Sequence, residues 1–269
     1  MGNKRIFITG GASGLCLALA KRYARDGYRV CLGDVNDVAG KQAEHDVRAS
    51  GASEVFYLRC DVTQEADLAR VAEELVKRWG GVDIVVNNAG VAQAGAIDEV
   101  SIEDWQWILD INLLGVVRGC KVFTPVFKRQ GYGIFINIAS MAGLLDMPKM
   151  SSYNVSKAGV VSLSETLQNE LGHFNIRVCV VCPSFFKTNL ANSLRAPDPK
   201  MHALVGKLLT RGKLTAEIVA ERVFQGAKDG SFYILPHLDG RALWGAKTVL
   251  PRRLYHAIVE NRSRWLMKM

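Results

Sequence analysis

Residues 4–34 read KRIFITGGASGLCLALAKRYARDGYRVCLGD, and this stretch decides the fold. A β-branched and aromatic run, KRIFIT (4–9), leads into a glycine-punctuated turn, then an amphipathic segment over 15–25, then a second apolar run, YRVCLGD (28–34). The period switches from strand to helix and back, which predicts a βαβ unit. Gly10 and Gly14 fall between the first run and the helix. Lacking a Cβ, glycine permits a tight turn and a close backbone approach to a pyrophosphate, which then lies on the helix N-terminus. Asp34 closes the second run, 20 residues after Gly14. A carboxylate there accepts hydrogen bonds from adenosine ribose hydroxyls and repels a 2′-phosphate, so the spacing favours NAD(H) over NADP(H).

The same rhythm continues outward. Further strand-like runs are VFYLRC (55–60), DIVVNN (83–88), GIFINIAS (133–140), IRVCVV (176–181) and FYILP (232–236), with amphipathic segments such as 64–79 and 154–171 between them. Near-continuous apolar strands joined by helices predict an α/β fold, a Rossmann-like doubly wound parallel sheet of seven strands with helices on both faces. We expect one domain over 1–236, and a basic helical extension of it over 237–269. The segment 183–213 interrupts the βα rhythm just after a strand end and is expected to be irregular, in the place of a substrate lid. Asp61, in RCDVT, is expected to cap the helix starting near residue 64, with a further role against the adenine left open.

Composition narrows the setting. No stretch approaches the roughly 20 continuous apolar residues of a membrane helix, and MGNKRIFITG runs directly into strand-like sequence, so a cytoplasmic protein is expected. Ile6 stands where a myristoylation signal needs Ser or Thr. The six cysteines, at 16, 31, 60, 120, 179 and 182, lack the spacing of a disulfide framework. Cys179 and Cys182 form a C-x-x-C inside a strand pattern, where residues three apart point to opposite faces, so no metal site is expected there. The formal net charge is +8, of which +5 falls from His237 onward, and without a recognised motif on the body of the fold this argues against nucleic-acid binding.

Tyr153 and Lys157 lie four residues apart in a helical pattern, on one face. A phenol titrates near 10, and a neighbouring ammonium favours its phenolate, so the pair reads as a tuned acid/base. Ser140 ends the run before them, at the carboxyl edge of the sheet, where its hydroxyl is expected to orient a substrate oxygen. Plainer readings stand beside these: a surface contact for the Tyr–Lys pair, a cap for Ser140, and a backbone hydrogen bond for Asn112.

TGGASGL (9–15), NNAG (87–90), Asn112 in DINLLG, Ser140 in INIAS, and Tyr153 with Lys157 in YNVSK together resemble the short-chain dehydrogenase/reductase family, in order, over roughly residues 5–188. The resemblance implies a catalytic set of Asn112, Ser140, Tyr153 and Lys157. Tyr153 would move the hydroxyl proton, Lys157 would also bind the nicotinamide ribose, Ser140 would position the substrate, and Asn112 would support a water that relays protons from Lys157. It implies cofactor contacts from Gly10, Ser13, Gly14 and Leu15 at the turn, from Asp34, from Asp61 and Val62, from Asn88, Ala89 and Gly90, and from Pro183 and Thr188. A structural role for Asn87 and Asn88 is as open as direct contact. Two positions depart from the pattern: Cys16 replaces a third glycine, and Ser184 replaces the glycine of a P-G-x-x-x-T segment, here PSFFKT (183–188).

For Cys16 three accounts stand: accommodation with weaker cofactor binding, altered stability or redox sensitivity, or loss of dinucleotide binding. A thiol there adds volume to a close contact, and its place near a helix N-terminus opens a route to a reactive thiolate; simple accommodation is the expectation, since the catalytic residues are intact. The segments expected to line the pocket, MAGLLDMPKM (141–150) with Phe185, Phe186, Leu190, Leu194, Met201, Leu204 and Leu208, are apolar. They suit a hydrophobic secondary alcohol or ketone, the alternative being that they merely seal the lid. In the tail, Leu254, Ile258, Trp265 and Leu266 lie near one helical face, for packing on the domain or a second subunit, with peripheral membrane contact ranked second. A homodimer or homotetramer is expected. The competing reading is a non-catalytic dinucleotide-binding or scaffold protein with a compromised glycine loop.

Overall fold

The computed structural model describes residues 4–267 other than 146, 188, 211 and 213, and not the side chains of 189, 191, 200, 204, 208–210, 256 and 261–267. Its chain order is β1 (Arg5–Thr9), α1 (Gly14–Arg25), β2 (Arg29–Asp34), α2 (Asp37–Ala49), β3 (Glu54–Arg59), α3 (Glu65–Trp79), β4 (Ile84–Asn87), α4 (Ile102–Leu109), α5 (Gly115–Gln130), β5 (Gly133–Ile138), α6 (Ser151–Leu171), β6 (Ile176–Val181), α7 (Pro199–Thr210), α8 (Ala216–Lys228), β7 (Tyr233–Ile234), α9 (Leu238–Val249) and α10 (Arg252–Met267). The strands form one parallel sheet in the order β3-β2-β1-β4-β5-β6-β7. Strand order reverses between β1 and β4, and ligands of such sheets bind at that switch point, beyond the carboxyl ends.

Alternation along the strands divides the core. Ile6 and Ile8 face a cluster with Leu15 and Leu19 of α1, Val47 of α2 and Val219 and Val223 of α8. Phe7 faces the other way, among Leu68 and Leu75 of α3, Phe123 and Phe127 of α5 and Val160 of α6. Cys179 of β6 belongs to the first cluster and Cys182, one residue past that strand, to the second, on opposite sides of the sheet. At the far end from the switch, Arg5 and Asp83 join the starts of β1 and β4: Asp83 accepts from the Arg5 backbone N–H and from Nη2, both at 2.6 Å.

Three expectations need correction. The segment 183–213 is not irregular throughout: it holds a 3₁₀ turn over Asn189–Ser193 and helix α7. Pro199 opens that helix, where a missing N–H costs nothing. The last strand is two residues, shorter than 232–236. In the tail, it is Tyr255 that is buried, whereas Leu254 and Ile258 are 57% and 37% exposed, so these two side chains do not pack on their own domain. Trp265 and Leu266 have side chains outside the described set. No described helix is long and apolar enough to cross a membrane.

Candidate active site

The glycine turn has the backbone that only glycine adopts easily: Gly10 has φ 65° and Gly14 φ 56°. A Cβ on Gly10 would stand 3.0 Å from the Ala89 Cα. The Ser13 side chain does not cap α1, and the first turn of α1 carries no acid, so the positive end of the helix faces the turn uncompensated. Asp34 is fixed beside it, accepting from Ala12 N at 3.1 Å through Oδ2 and from Asn36 N at 3.0 Å through Oδ1. Thr9, at the end of β1, ties in the next strand loop: its Oγ1 accepts from Asn88 N at 3.0 Å and Ala89 N at 3.1 Å.

Asp61 does not cap α3, which begins at Glu65 with Gln64 before it. It closes a local turn instead, Oδ1 accepting from Thr63 N at 2.9 Å and Thr63 Oγ1 at 2.8 Å. The two intervening residues place its carboxylate too early to reach the first free N–H groups of the helix. The two asparagines of NNAG separate: Asn87 is 2% exposed and donates to Asn137 Oδ1 at 2.9 Å beneath the sheet edge, while Asn88 lines the cavity described below.

Asn112 sits in a π-helical turn, Asp110–Leu114, between α4 and α5. Rather than bonding within its own helix, it accepts from Val91 N at 2.8 Å and donates through Nδ2 to Val91 O at 3.0 Å and Ser156 Oγ at 3.2 Å. It lies behind the cavity wall: a Cβ on Gly90 would meet Asn112 Oδ1 at 3.1 Å and Lys157 Nζ at 3.5 Å.

Ser140 lies two residues past β5, not at its end, and its Oγ accepts from Ala142 N at 3.1 Å and donates to Pro183 O at 3.4 Å. Tyr153 and Lys157 occupy α6, 8% and 5% exposed. Lys157 Nζ donates to Ile138 O at 3.0 Å and stands 5.9 Å from the centre of the Tyr153 ring. Burial lowers the Lys157 ammonium to about 8, with the Cys182 thiol acting in the opposite direction. Burial also raises the Tyr153 phenol above its ordinary value, opposed by hydrogen bonding with Ser140. In the free protein it is Ser140, not Lys157, that acts against the effect of burial on Tyr153.

Cys16 is accommodated in the core, and the geometry gives no support to a reactive thiolate. The side chain is fully buried against the β1 end, its Sγ donating to Thr9 O at 3.4 Å. Burial, with the Asp34 charge adding to it, holds the thiol well above its ordinary value. Desolvation defeats the helix N-terminus here. Ser184, likewise, is absent from the few non-glycine residues with positive φ, so serine meets no backbone strain there.

One cavity of about 650 Å³ joins these groups. It is lined by Gly10, Ser13, Gly14, Leu15 and Asp34, then Asp61, Val62, Asn88, Ala89 and Gly90, then Ser140, Tyr153, Lys157 and Pro183. Thr188 lies outside the described residues. Met141, Leu145, Met147, Met150, Phe185 and Phe186 line its other end. Leu194 and Met201 instead pack in a cluster with Met150 and Tyr153, and Leu204 and Leu208 have side chains outside the described set. Sequence reasoning missed Val35 and Asn36 at the Asp34 end, although Asn36 carries a signal, the cap of α2. It also missed Thr9, whose role needs the β4 loop beside it. The glycine cradle, the uncapped helix end and the fixed carboxylate suit a nicotinamide dinucleotide.

A family model described as short chain dehydrogenase matches residues 4–199. The chain belongs to the short-chain dehydrogenase family. The chain is 33% identical over 235 residues to 3beta-hydroxysteroid dehydrogenase 1 of Eggerthella lenta, covering 86% of this chain and 89% of that protein. Among solved short-chain dehydrogenase structures, one from Burkholderia phymatum in complex with NAD matches with TM-score 0.86 and 31% identity, over 97% of this chain and 95% of that one. Another from Sphingobium yanoikuyae, in complex with NADPH, matches with TM-score 0.78 and 27% identity, over 91% and 92%. Membership in the short-chain dehydrogenase family makes the chain an oxidoreductase that binds a nicotinamide dinucleotide.

Proposed function

We propose that this protein interconverts a hydrophobic secondary alcohol and its ketone with NAD(H), Tyr153 serving as acid/base. The observation that carries the reading is the continuity of one cavity from the glycine turn and Asp34 to Ser140, Tyr153 and Lys157. The dinucleotide, when bound, supplies or accepts the hydride at the carbinol carbon. In the reducing direction Tyr153 gives its hydroxyl proton to the oxygen of the forming alcohol, and in the oxidising direction it takes that proton back. Lys157, still mostly protonated at neutral pH, offsets the phenolate charge that develops on Tyr153. Ser140 turns its hydroxyl toward the substrate oxygen. Asn112, held against Val91 behind Gly90, supports the proton path from Lys157.

Support for NAD(H) comes from charge. Among the described residues lining the cavity, Lys157 is the only Lys or Arg, and it lies at the catalytic end. Arg59, near the adenosine end, donates to Val35 O at 2.8 Å and Asp37 Oδ2 at 3.0 Å. The methionine and phenylalanine end of the cavity supports an apolar substrate. All six cysteines are unpaired, which supports a cytoplasmic setting. The exposed Leu254 and Ile258 support a homodimer or homotetramer, which sedimentation measures directly, with vesicle binding as the competing outcome.

Fluorescence titration with NADH and with NADPH, together with turnover of apolar ketones by Tyr153→Phe, tests the reading. Preferential NADH binding, with turnover lost by about 10²-fold or more in the variant and cofactor affinity kept, is the expected result. Binding of neither nucleotide, or full activity in the variant, overturns it.

A further inference from the structure

His237 follows β7 and is 6% exposed. Its Nδ1 accepts the Ser184 backbone N–H at 3.1 Å. A ring nitrogen that accepts carries no proton, so the neutral ring must hold its proton on Nε2. That Nε2 is buried and has no hydrogen-bond partner among the described residues. An unpaired buried donor is unfavourable, and a purely space-filling side chain would avoid it. What the imidazole provides in return is an acceptor at one place.

The place matters because of what shares it. The Ser184 N–H and the Pro183 carbonyl belong to one planar peptide unit. The carbonyl end accepts from Met141 N at 2.9 Å and from Ser140 Oγ at 3.4 Å. The peptide is thus gripped at both ends, by Ser140 and Met141 on one side and by His237 on the other. Pro183, Ser184, Phe185 and Phe186 all line the cavity, and the Phe186 ring stands 6.0 Å from the imidazole.

We infer that His237 is a positioning residue: by accepting the Ser184 N–H it fixes the Pro183–Ser184 peptide plane, and through it the Ser140 hydroxyl and the course of the apolar cavity wall. The inference rests on the oxidoreductase reading for its kinetic consequence only. Protonation would put a second donor, Nδ1–H, against the Ser184 N–H and release the plane. Burial resists this, lowering the imidazole below its ordinary value; Asp239 at the start of α9 favours the charged form, and Arg222 of α8 opposes it. Arg222 also donates to Pro236 O, while Pro183–Phe186 brings no titratable group.

The first test is nitrogen NMR of the full chain with ¹⁵N-labelled histidine rings, the five histidines being sorted by the signal lost in His237→Asn. A neutral ring protonated on Nε2 at pH 7 is expected. A ring protonated on Nδ1, or charged at pH 7, overturns the inference whether or not the protein turns over any ketone. The second test compares His237→Asn, whose amide oxygen takes the place of Nδ1, with His237→Leu, both checked for folding by circular dichroism. Leucine is expected to lower kcat/KM by about tenfold, and asparagine to recover most of that loss. Equal losses in both, or none in either, would assign His237 to packing alone. Absence of turnover in the unmodified protein would instead sink the oxidoreductase reading and leave the tautomer result standing.

Discussion

Asn112 grips Val91 by both backbone groups, accepting its N–H at 2.8 Å and donating to its carbonyl at 3.0 Å. Side-chain amide and backbone thus pair much as two strands do, and the pairing holds the loop after NNAG against the π-helical turn. Val91 itself lines the cavity. Asn112→Ala leaves two part-buried backbone groups of Val91 without these partners. A loss of about 2–4 kcal/mol in urea denaturation is expected, with a fall in turnover beyond what the stability change explains.

Asp34 is held by two backbone N–H groups, so its carboxylate meets a ligand without first being ordered. Asp34→Ala is expected to weaken NADH binding by about tenfold while leaving NADPH binding equal or better. Fluorescence titration of both nucleotides checks the change in their ratio.

Lys157 carries a pH signature. Burial lowers it from 10.5 to about 8, so below pH 8 the native state holds a buried ammonium that the unfolded chain accommodates better. As pH rises from 8 toward 10.5 the native group has given up its proton and the unfolded one has not, and the penalty disappears. Lys157→Met is therefore expected to raise stability at pH 7 by about 1–3 kcal/mol, after the lost bond to Ile138 O, and to show little advantage at pH 10.5. Urea melts at the two pH values decide it.

Cys16 reads in the sequence as an intrusion and in the structure as core. It fills a fully buried place in α1 and meets the Thr9 carbonyl. Cys16→Gly, which restores the glycine pattern, is expected to destabilise by about 2–3 kcal/mol through lost burial and a flexible residue inside the helix. A thermal melt that rises instead would show that the thiol is overpacked.

Asp83 tests the opposite end of the sheet. Burial pushes its carboxyl up, but hydrogen bonds from the Arg5 side chain and backbone, with Tyr132, bring it below its ordinary value. A carboxylate lowered in this way stabilises the fold fully above pH 4 and loses that contribution as pH falls through its native value. Asp83→Ala is expected to cost about 2–4 kcal/mol at pH 7, with the gap to the unmodified protein narrowing at pH 3.

The sequence made the sheet legible because every strand from β1 to β6 is a run of apolar residues too dense for a surface, and the helices between them keep a clear period. The site residues that act from their own turn, Gly10, Gly14 and Asp34, were legible for the same reason: local spacing dictates where they stand. Relations across the chain were hidden. Nothing local tells that Thr9 reaches Asn88, that Asn112 leaves its helix to hold Val91, or that His237 meets Ser184, 53 residues away. Asp61 departs from the expected cap because a carboxylate before a helix can close its own turn as readily as cap, and two residues of spacing decide which.

The six cysteines have one more consequence. All are buried, and burial raises every thiol above its ordinary value. The folded protein is therefore expected to react little with maleimides at neutral pH, which a thiol titration checks. A single cysteine introduced at exposed Lys187 or Arg195 would then be the site that takes a fluorophore, without first stripping the protein of its own sulfur.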